Sequence, residues 1–186
     1  MKKSNHLYTA VYCGIFTALG VLFPMIFHAF GAVSGQTFLP MHIPVLISGI
    51  TVSPVCGLVV GILSPFISSI LTNMPVLSKM PFMCIELACY GLFSGLLYRT
   101  LSSKLKKRTL SVCLSLFGAQ IIGRLANLIC TFLAINILGI TAQGISMKLA
   151  LMSIPAGAVG IVIQWILIPP CALAIQHISK NQKPLS

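Results

Sequence analysis

The chain has 186 residues, of which 57% are hydrophobic and only 7% are charged. A soluble domain covers its surface with far more charge, so this composition excludes a soluble globular protein and indicates a single integral membrane domain over residues 1–186. The formal net charge of +11 does not indicate nucleic-acid binding, because the basic residues lie in short segments between apolar runs; the expected surroundings are membrane lipid.

Six apolar runs follow one another along the chain, and a helical membrane span needs about 20 such residues. We predict an all-α bundle of six transmembrane helices, at about 7–27, 40–52, 54–71, 80–101, 110–137 and 149–176. The second run is short and the third contains Pro65, so these two could instead form a broken pair that does not cross cleanly. The first run follows Lys2 and Lys3 without a small-residue cleavage site, so we interpret it as a span and not as a signal peptide.

Basic residues orient the predicted bundle. With six spans, both termini lie on one side of the membrane, together with the turns near residue 53 and at 102–109. Because Lys and Arg accumulate in cytoplasmic loops, nine basic residues on that side against two on the other predict that both termini are cytoplasmic. The nine are Lys2, Lys3, Arg99, Lys104, Lys106, Lys107, Arg108, Lys180 and Lys183, and the two are Lys79 and Lys148.

Three segments then face outward, at 28–42, 72–81 and 138–148. They are richer in Gly, Ser, Thr, Asn and Gln than the inner turns are. Irregular polar loops collected on the outer face favour a protein that receives a compound from outside, although the loops of any bundle must lie somewhere.

The chain lacks the motifs of the enzyme classes we considered. It has no G-x-x-x-x-G-K-[ST] loop and no H-E-x-x-H, its four histidines are dispersed, and one acidic residue cannot form an acid–base pair. Its seven cysteines lie in apolar runs without a C-x-x-C pair, so we interpret them as small packing residues. We therefore predict no catalytic residue, no metal site and no cofactor bound by this chain.

Polar residues inside the fifth span form the best candidate site. Arg124 lies near the middle of this span, where a charged side chain costs about 2.5–3.5 kcal/mol and normally faces the bundle interior or a watery cavity. Gln120, Arg124, Asn127 and Thr131 follow a spacing that places them on one helix face. This stripe could serve only to hydrogen-bond neighbouring helices, but the cost of burying Arg favours a binding site.

Glu86, the only acidic residue, lies about six residues from the outer end of the fourth span, which is roughly 9 Å of helix rise. Arg124 lies roughly 20 Å from the outer end of its own span, so we expect the two charges to be offset along the membrane normal. A direct salt bridge would need a shift or tilt, and a cavity between the charges is an equal alternative. Tyr90, one turn after Glu86, and Gln164, expected at the depth of Arg124, complete the predicted pocket.

Small residues recur every four positions in the first span, at Ala10, Gly14 and Ala18. Such a stripe lets another helix approach closely, either a partner's helix or another helix of this bundle. Gly91 and Gly95 form a similar pair in the fourth span.

The chain resembles the substrate-binding S components of energy-coupling factor (ECF) vitamin transporters over nearly its whole length. The resemblance rests on six short spans, basic inner loops, the small-residue stripe, and the segments MHIPVLISGITVSPVCGLVVGILSPFISSILTNMP and ELACYGLFSGLLYR. This Pro- and Gly-punctuated pattern is similar to the branch that includes pantothenate transporters.

The resemblance implies a vitamin pocket open to the outside and three partner chains, namely a transmembrane coupling subunit and two cytoplasmic ATPases. ATP and Mg²⁺ would be bound by those partners. The family's first helix docks on the coupling subunit through an A-x-x-x-A motif, whose position Ala10, Gly14 and Ala18 match, with Gly14 departing from strict alanine.

We therefore expect a transport subunit, not an enzyme, that binds a water-soluble vitamin. Pantothenate suits one Arg among neutral polar residues, because it has one carboxylate plus hydroxyl and amide groups; cobalamin is the alternative. A self-contained secondary transporter or channel and a non-transporting scaffold are the other classes left open. The candidate binding residues are Glu86, Tyr90, Gln120, Arg124, Asn127, Thr131 and Gln164.

Overall fold

The computed structural model describes residues 2–28, 37–137, 139 and 145–181. Over this part of the chain the regular secondary structure is helical, without strands, which confirms the predicted all-α class. The helices are α1 (Lys2–His28), α2 (His42–Thr51), α3 (Pro54–Thr72), α4 (Met80–Lys104), α5 (Arg108–Asn136), α6 (Met147–Ala156) and α7 (Ala158–Asn181).

Five of these helices, α1, α3, α4, α5 and α7, are long and apolar enough to cross a membrane. The chain is therefore a multi-pass membrane protein. The other two, α2 and α6, have 10 residues each and are too short to span alone. The predicted second span is thus as short as its sequence indicated.

The predicted sixth span is not one helix. It divides at Gly157, where α6 ends and α7 begins, so the continuous helix expected over 149–176 is wrong. Pro155 in the last turn of α6 has no backbone N–H to donate, and the Gly157 backbone (φ −87°, ψ 3°) leaves helical geometry. Apolar composition continues across this point, which explains why hydropathy did not reveal the break.

Local side chains define both ends of α3. The Ser53 hydroxyl caps the first turn by accepting a hydrogen bond of 3.0 Å from the Cys56 backbone N–H. At the other end, the Ser68 hydroxyl donates to the Met74 carbonyl (2.7 Å) and the Ser69 hydroxyl donates to the Pro75 carbonyl (2.8 Å). The predicted outer segment 72–81 is therefore anchored to the helix that precedes it.

Glycine contacts hold α2, α3 and α4 against one another. A Cβ atom built at Gly91 would overlap the Gly57 carbonyl and lie 2.8 Å from the Gly57 Cα, and one at Gly95 would lie 2.8 Å from the Pro54 Cα. Helices approach this closely in membranes only where side chains are absent. Around this contact lie fully buried apolar residues from four helices: Leu46, Leu87, Leu116 and Ile168.

The outer surface of α1 is different, because Ala10, Gly14 and Ala18 are all exposed. A Cβ atom built at Gly14 would have no atom within 4 Å. Beside this surface α1 and α3 enclose an apolar groove of about 540 Å³, lined by Thr9, Ala10, Cys13, Gly14, Thr17, Val55, Cys56, Val59 and Leu63.

Two cysteines depart from the packing role predicted for all seven. Cys13 of α1 and Cys56 of α3 are paired as a disulfide at the wall of this groove, with their Cα atoms 5.5 Å apart. Their spacing of 43 residues gave no local motif, so only the packing of α1 on α3 reveals the pair. The other five cysteines are free.

Candidate functional site

An ion pair between Glu86 of α4 and Arg124 of α5 forms the centre of the polar cluster. Arg124 Nη1 lies 2.9 Å from Glu86 Oε1. The Tyr90 hydroxyl donates to the same oxygen over 3.1 Å, and Asn127 Nδ2 donates to Glu86 Oε2 over 2.6 Å. Both oxygens of the only carboxylate side chain in the sequence are therefore occupied by donors from this chain.

The expected offset between the two charges is wrong. Depth was counted from the helix ends, which assumed that α4 and α5 end at the same level. Instead, a Cβ atom at Gly123 would lie 3.1 Å from the Glu86 carbonyl and 2.5 Å from the Tyr90 ring, so the residue before Arg124 is level with the Glu86–Tyr90 turn. From the level of this contact, α5 continues for 12 residues to Asn136, whereas α4 began only 6 residues earlier at Met80, so the two helix ends are not level and the salt bridge is direct.

The polar stripe of α5 makes hydrogen bonds along its length. Thr131 is buried, and its hydroxyl donates to Asn127 Oδ1 over 3.4 Å. One turn before Arg124, Gln120 Nε2 donates to Gln164 Oε1 of α7 over 2.9 Å. All four stripe residues thus bond to neighbours within the bundle.

Gln164 pairs with Gln120 and not with Arg124, which corrects the expectation that Gln164 and Arg124 lie at one depth. The expected depth came from counting along an unbroken sixth helix, whereas α7 begins only at Ala158. Trp165, the neighbouring residue, donates its Nε1–H to Gln120 Oε1 over 2.9 Å. Gln120 therefore bridges two consecutive residues of α7.

The short helix α6 contributes Ser153, which the sequence did not single out. Arg124 Nη1 donates to the Ser153 hydroxyl over 3.3 Å, and that hydroxyl donates to the Ala150 carbonyl over 2.7 Å. Ser153 lies one turn before the break at Gly157, so the end of α6 is in contact with Arg124 of α5.

His42, the first residue of α2, is the second residue that sequence reasoning missed. Its side chain is buried (3% exposed), and its ring centroid lies 5.2 Å from that of Tyr90. Its position two residues after Pro40, at the start of an apolar helix, could have indicated that His42 is buried. The sequence prediction asked only whether the histidines cluster, and the four are dispersed along the chain.

Several buried nitrogen atoms in this region have no hydrogen-bond partner among the described residues. They are Nε and Nη2 of Arg124, Nε2 of Gln164, and both ring nitrogens of His42. Leaving a buried donor unpaired costs about 1–3 kcal/mol, more for a charged group. Each such atom needs a partner from water, from a bound molecule or from a part of the chain that the structure does not describe.

Residues 37–41 pack over the start of α7. A Cβ atom at Gly160 would lie 2.7 Å from the Phe38 and Thr37 carbonyl oxygens, and one at Gly157 would lie 2.8 Å from Leu39 Cδ1. Leu39 has a φ of 49°, in the left-handed region that a branched residue seldom adopts. Most of the predicted outer segments 28–42 and 138–148, namely residues 29–36, 138 and 140–144, lies outside the described residues.

The cluster combines one hydrogen-bonded carboxylate with several donors. Both oxygens of that carboxylate accept hydrogen bonds, and the atoms without a partner in the described part of the chain are chiefly N–H donors. Within the described ranges, no group of three or more His, Cys, Asp or Glu residues is placed to hold a metal ion. The arrangement is suited to holding a polar compound inside a helix bundle.

Comparison with known proteins adds one result. The family model for the ECF transporter, substrate-specific component, matches residues 9–172. No curated protein and no solved structure matches the chain. The family match extends from α1 into α7, so it includes every residue of the polar cluster as well as the exposed stripe of α1.

Proposed function

The chain belongs to the family of substrate-specific components of ECF transporters, and we propose that it binds a water-soluble vitamin from outside a bacterial cell for ATP-driven import. Members of this family are transport subunits and not enzymes. The observation that carries the proposal is Arg124, a charged residue inside the helix bundle whose buried Nε and Nη2 have no hydrogen-bond partner among the described residues.

We propose a topology of six spans with both termini in the cytoplasm. In this topology the five long helices make five of the crossings. The remaining crossing, which is short, is made by α2 together with the residues directly before it. The orientation is supported by the excess of Lys and Arg in the segments assigned to the cytoplasmic side of the membrane. With this orientation the C-terminal ends of α3 and α5 and the N-terminal end of α4 would lie at the outer face, from which the compound is imported.

The ligand we propose to test first is pantothenate. Its carboxylate suits Arg124, and its hydroxyl and amide groups suit neutral polar side chains such as Gln164. Glu86 holds Arg124 in place, with Tyr90 and Asn127 bound to its oxygens. Gln120 and Thr131 extend the polar wall along α5. Cobalamin, a much larger vitamin, is the alternative ligand.

Family membership implies association with a coupling subunit and ATPase subunits. We propose that the coupling subunit docks on the α1 surface formed by Ala10, Gly14 and Ala18, because these small residues are exposed and one groove wall lies beside them. ATP and Mg²⁺ would be bound by two cytoplasmic ATPase subunits. No nucleic acid takes part.

Isothermal titration calorimetry of the purified chain tests the ligand assignment. We expect saturable binding of pantothenate at micromolar protein, and loss of that binding in Arg124→Ala, because this variant removes the charged donor; thermal melting checks that the variant, which leaves Glu86 without its ion-pair partner, still folds. Cobalamin binding in place of pantothenate would overturn the choice of vitamin. Unchanged binding in Arg124→Ala would overturn the site.

Uptake into vesicles tests the transport mode. With the coupling and ATPase subunits present, we expect vitamin uptake that requires ATP. Uptake by the chain alone, without these subunits, would identify a self-contained secondary transporter or channel instead.

A further inference from the structure

The acceptor atoms of the polar cluster are already used, whereas several of its donors are not. Both Glu86 oxygens accept hydrogen bonds, Gln164 Oε1 accepts from Gln120, and Asn127 Oδ1 accepts from Thr131. The atoms left without a partner among the described residues are nitrogens, and those of Arg124 and Gln164 can only donate. A molecule that completes this cluster must bring acceptors.

Arg124 presents its free donors as a pair. Nη1 is taken by Glu86 and Ser153, which leaves Nε and Nη2 along one edge of the guanidinium. Two parallel N–H groups on a planar guanidinium match the two oxygens of a carboxylate, and such two-pronged contacts are among the strongest hydrogen bonds in proteins. The chemistry of the free edge therefore selects a carboxylate over a single carbonyl.

Gly157 packs close to that edge. A Cβ atom built there would lie 3.1 Å from Arg124 Nη2 and 2.8 Å from Leu39 Cδ1. The Gly157 φ of −87° is accessible to any residue, so backbone conformation does not require glycine at this position. The missing side chain instead lets the turn between α6 and α7 lie close to both Arg124 and Leu39.

His42 lies across Tyr90 from the ion pair. The His42 and Tyr90 rings are 5.2 Å apart, and the Tyr90 hydroxyl is 3.1 Å from the carboxylate that holds Arg124. Neutral imidazole offers one donor and one acceptor, so His42 could bind a hydroxyl or an amide of the same ligand.

We propose that Arg124 and His42 form a subsite that recognises a carboxylic acid: the carboxylate binds the Nε–Nη2 edge of Arg124 beside Gly157, and His42 binds a second polar group of the ligand. This inference rests on the proposed function and narrows it to one class of vitamin. The second carboxylate is tolerated beside Glu86 because Tyr90 and Asn127 already stabilise the Glu86 charge.

Matched pairs of acid and neutral compounds test the subsite without any mutation. The pairs are pantothenate with panthenol, biotin with biotinamide, and nicotinate with nicotinamide, each titrated into the purified wild-type chain. Fluorescence of Trp165, the single tryptophan, reports binding because its indole is bonded to Gln120 in the cluster. For the pair that binds, we expect the acid to bind at least about 100-fold more tightly than its neutral partner.

Two variants test the residues. Gly157→Ala adds a methyl group 3.1 Å from Arg124 Nη2, beside the edge that binds the carboxylate, and we expect it to weaken binding of the acid at least about tenfold. His42→Phe keeps the ring contact with Tyr90 but removes both nitrogens, and we expect a loss of about tenfold for the acid and for its neutral partner alike. The control is His177→Phe, the same exchange at an exposed position of α7, which should leave affinity unchanged. Thermal melting of each variant checks that it folds.

The outcomes separate this inference from the function on which it rests. Equal affinity for an acid and its neutral partner, or unchanged affinity in a folded Gly157→Ala or His42→Phe variant, would overturn the subsite while vitamin binding stands. Tight binding of cobalamin with no binding of any acid would also overturn it. If the wild-type chain binds none of these vitamins, the proposed function itself fails, and the subsite fails with it.

Discussion

Two helices of this protein carry small residues at the same four-residue spacing, and the structure uses them in opposite ways. In α4, Gly91 and Gly95 face inward, where built Cβ atoms would meet the backbone of α2 and α3. In α1, Ala10, Gly14 and Ala18 face outward, and a Cβ atom at Gly14 would meet nothing within 4 Å.

The difference shows what a small-residue stripe means in a membrane. Lipid tails are as apolar as leucine, so close helix packing there depends on van der Waals contact between backbones that small residues allow. The α4 pair provides this contact within the chain and builds the fold. The α1 stripe offers the same opportunity to another protein. A substrate-specific component must associate with other subunits, so a surface of this kind is what its function calls for.

The largest expected effect is on the inward-facing pair. Gly91→Ala would place a methyl group on the Gly57 carbonyl, and a backbone contact cannot yield as a flexible side chain can. We expect a loss of about 3 kcal/mol of unfolding free energy, the upper end of ordinary overpacking. For a chain of this length that lowers the melting temperature by roughly 6–12 °C, measurable by thermal melting in detergent.

Ligand binding should fall together with stability in Gly91→Ala, because α4 also carries Glu86 and Tyr90. A variant that melts at the wild-type temperature would show that α3 and α4 do not pack through these glycines.

An intermediate effect is expected on the outward-facing stripe. Gly14→Leu adds a bulky side chain at an exposed position, where a Cβ atom meets nothing within 4 Å. We therefore expect wild-type melting and wild-type ligand binding by the isolated subunit, but no ATP-driven uptake in the assembled transporter, because the close helix approach is lost. Vesicle uptake and calorimetry on the same preparation measure both quantities.

The matched control for Gly14→Leu is Ile129→Ala, a lipid-facing change on α5 that should leave uptake intact. Loss of both uptake and ligand binding in Gly14→Leu would mean that the stripe packs within this chain, and the contrast between α1 and α4 would disappear.

The features that could be predicted from the sequence are those set by composition and local spacing. Long apolar runs predicted the helices α1, α3, α4, α5 and α7, and the spacing of Gln120, Arg124, Asn127 and Thr131 predicted a stripe whose members all bond within the bundle. These patterns are visible in one segment at a time, so no knowledge of the neighbouring helices was required.

The features that escaped prediction depend on how one helix is placed against another. The Glu86–Arg124 contact depends on the relative heights of α4 and α5, and the Gln120–Gln164 contact depends on the break at Gly157. Whether a small-residue stripe faces inward or outward also depends on how the helices are placed against one another. Identical spacing in α1 and α4 carries no information on which stripe is covered, since that depends on every other helix in the bundle.

The smallest effect is expected for a glycine-to-alanine exchange in α1. Because the same exchange in α4 disrupts packing, this variant compares the two stripes most directly. Gly14→Ala adds one methyl group in open space and removes a flexible backbone position. We expect the unfolding free energy to stay the same or to rise by at most about 1 kcal/mol, since alanine is favoured over glycine inside a helix. Uptake should be retained, because alanine at this position restores the strict A-x-x-x-A pattern that the resemblance to S components implies. A fall in melting temperature comparable to that of Gly91→Ala would place Gly14 against the protein's own backbone and remove the reason to regard the α1 surface as a docking site.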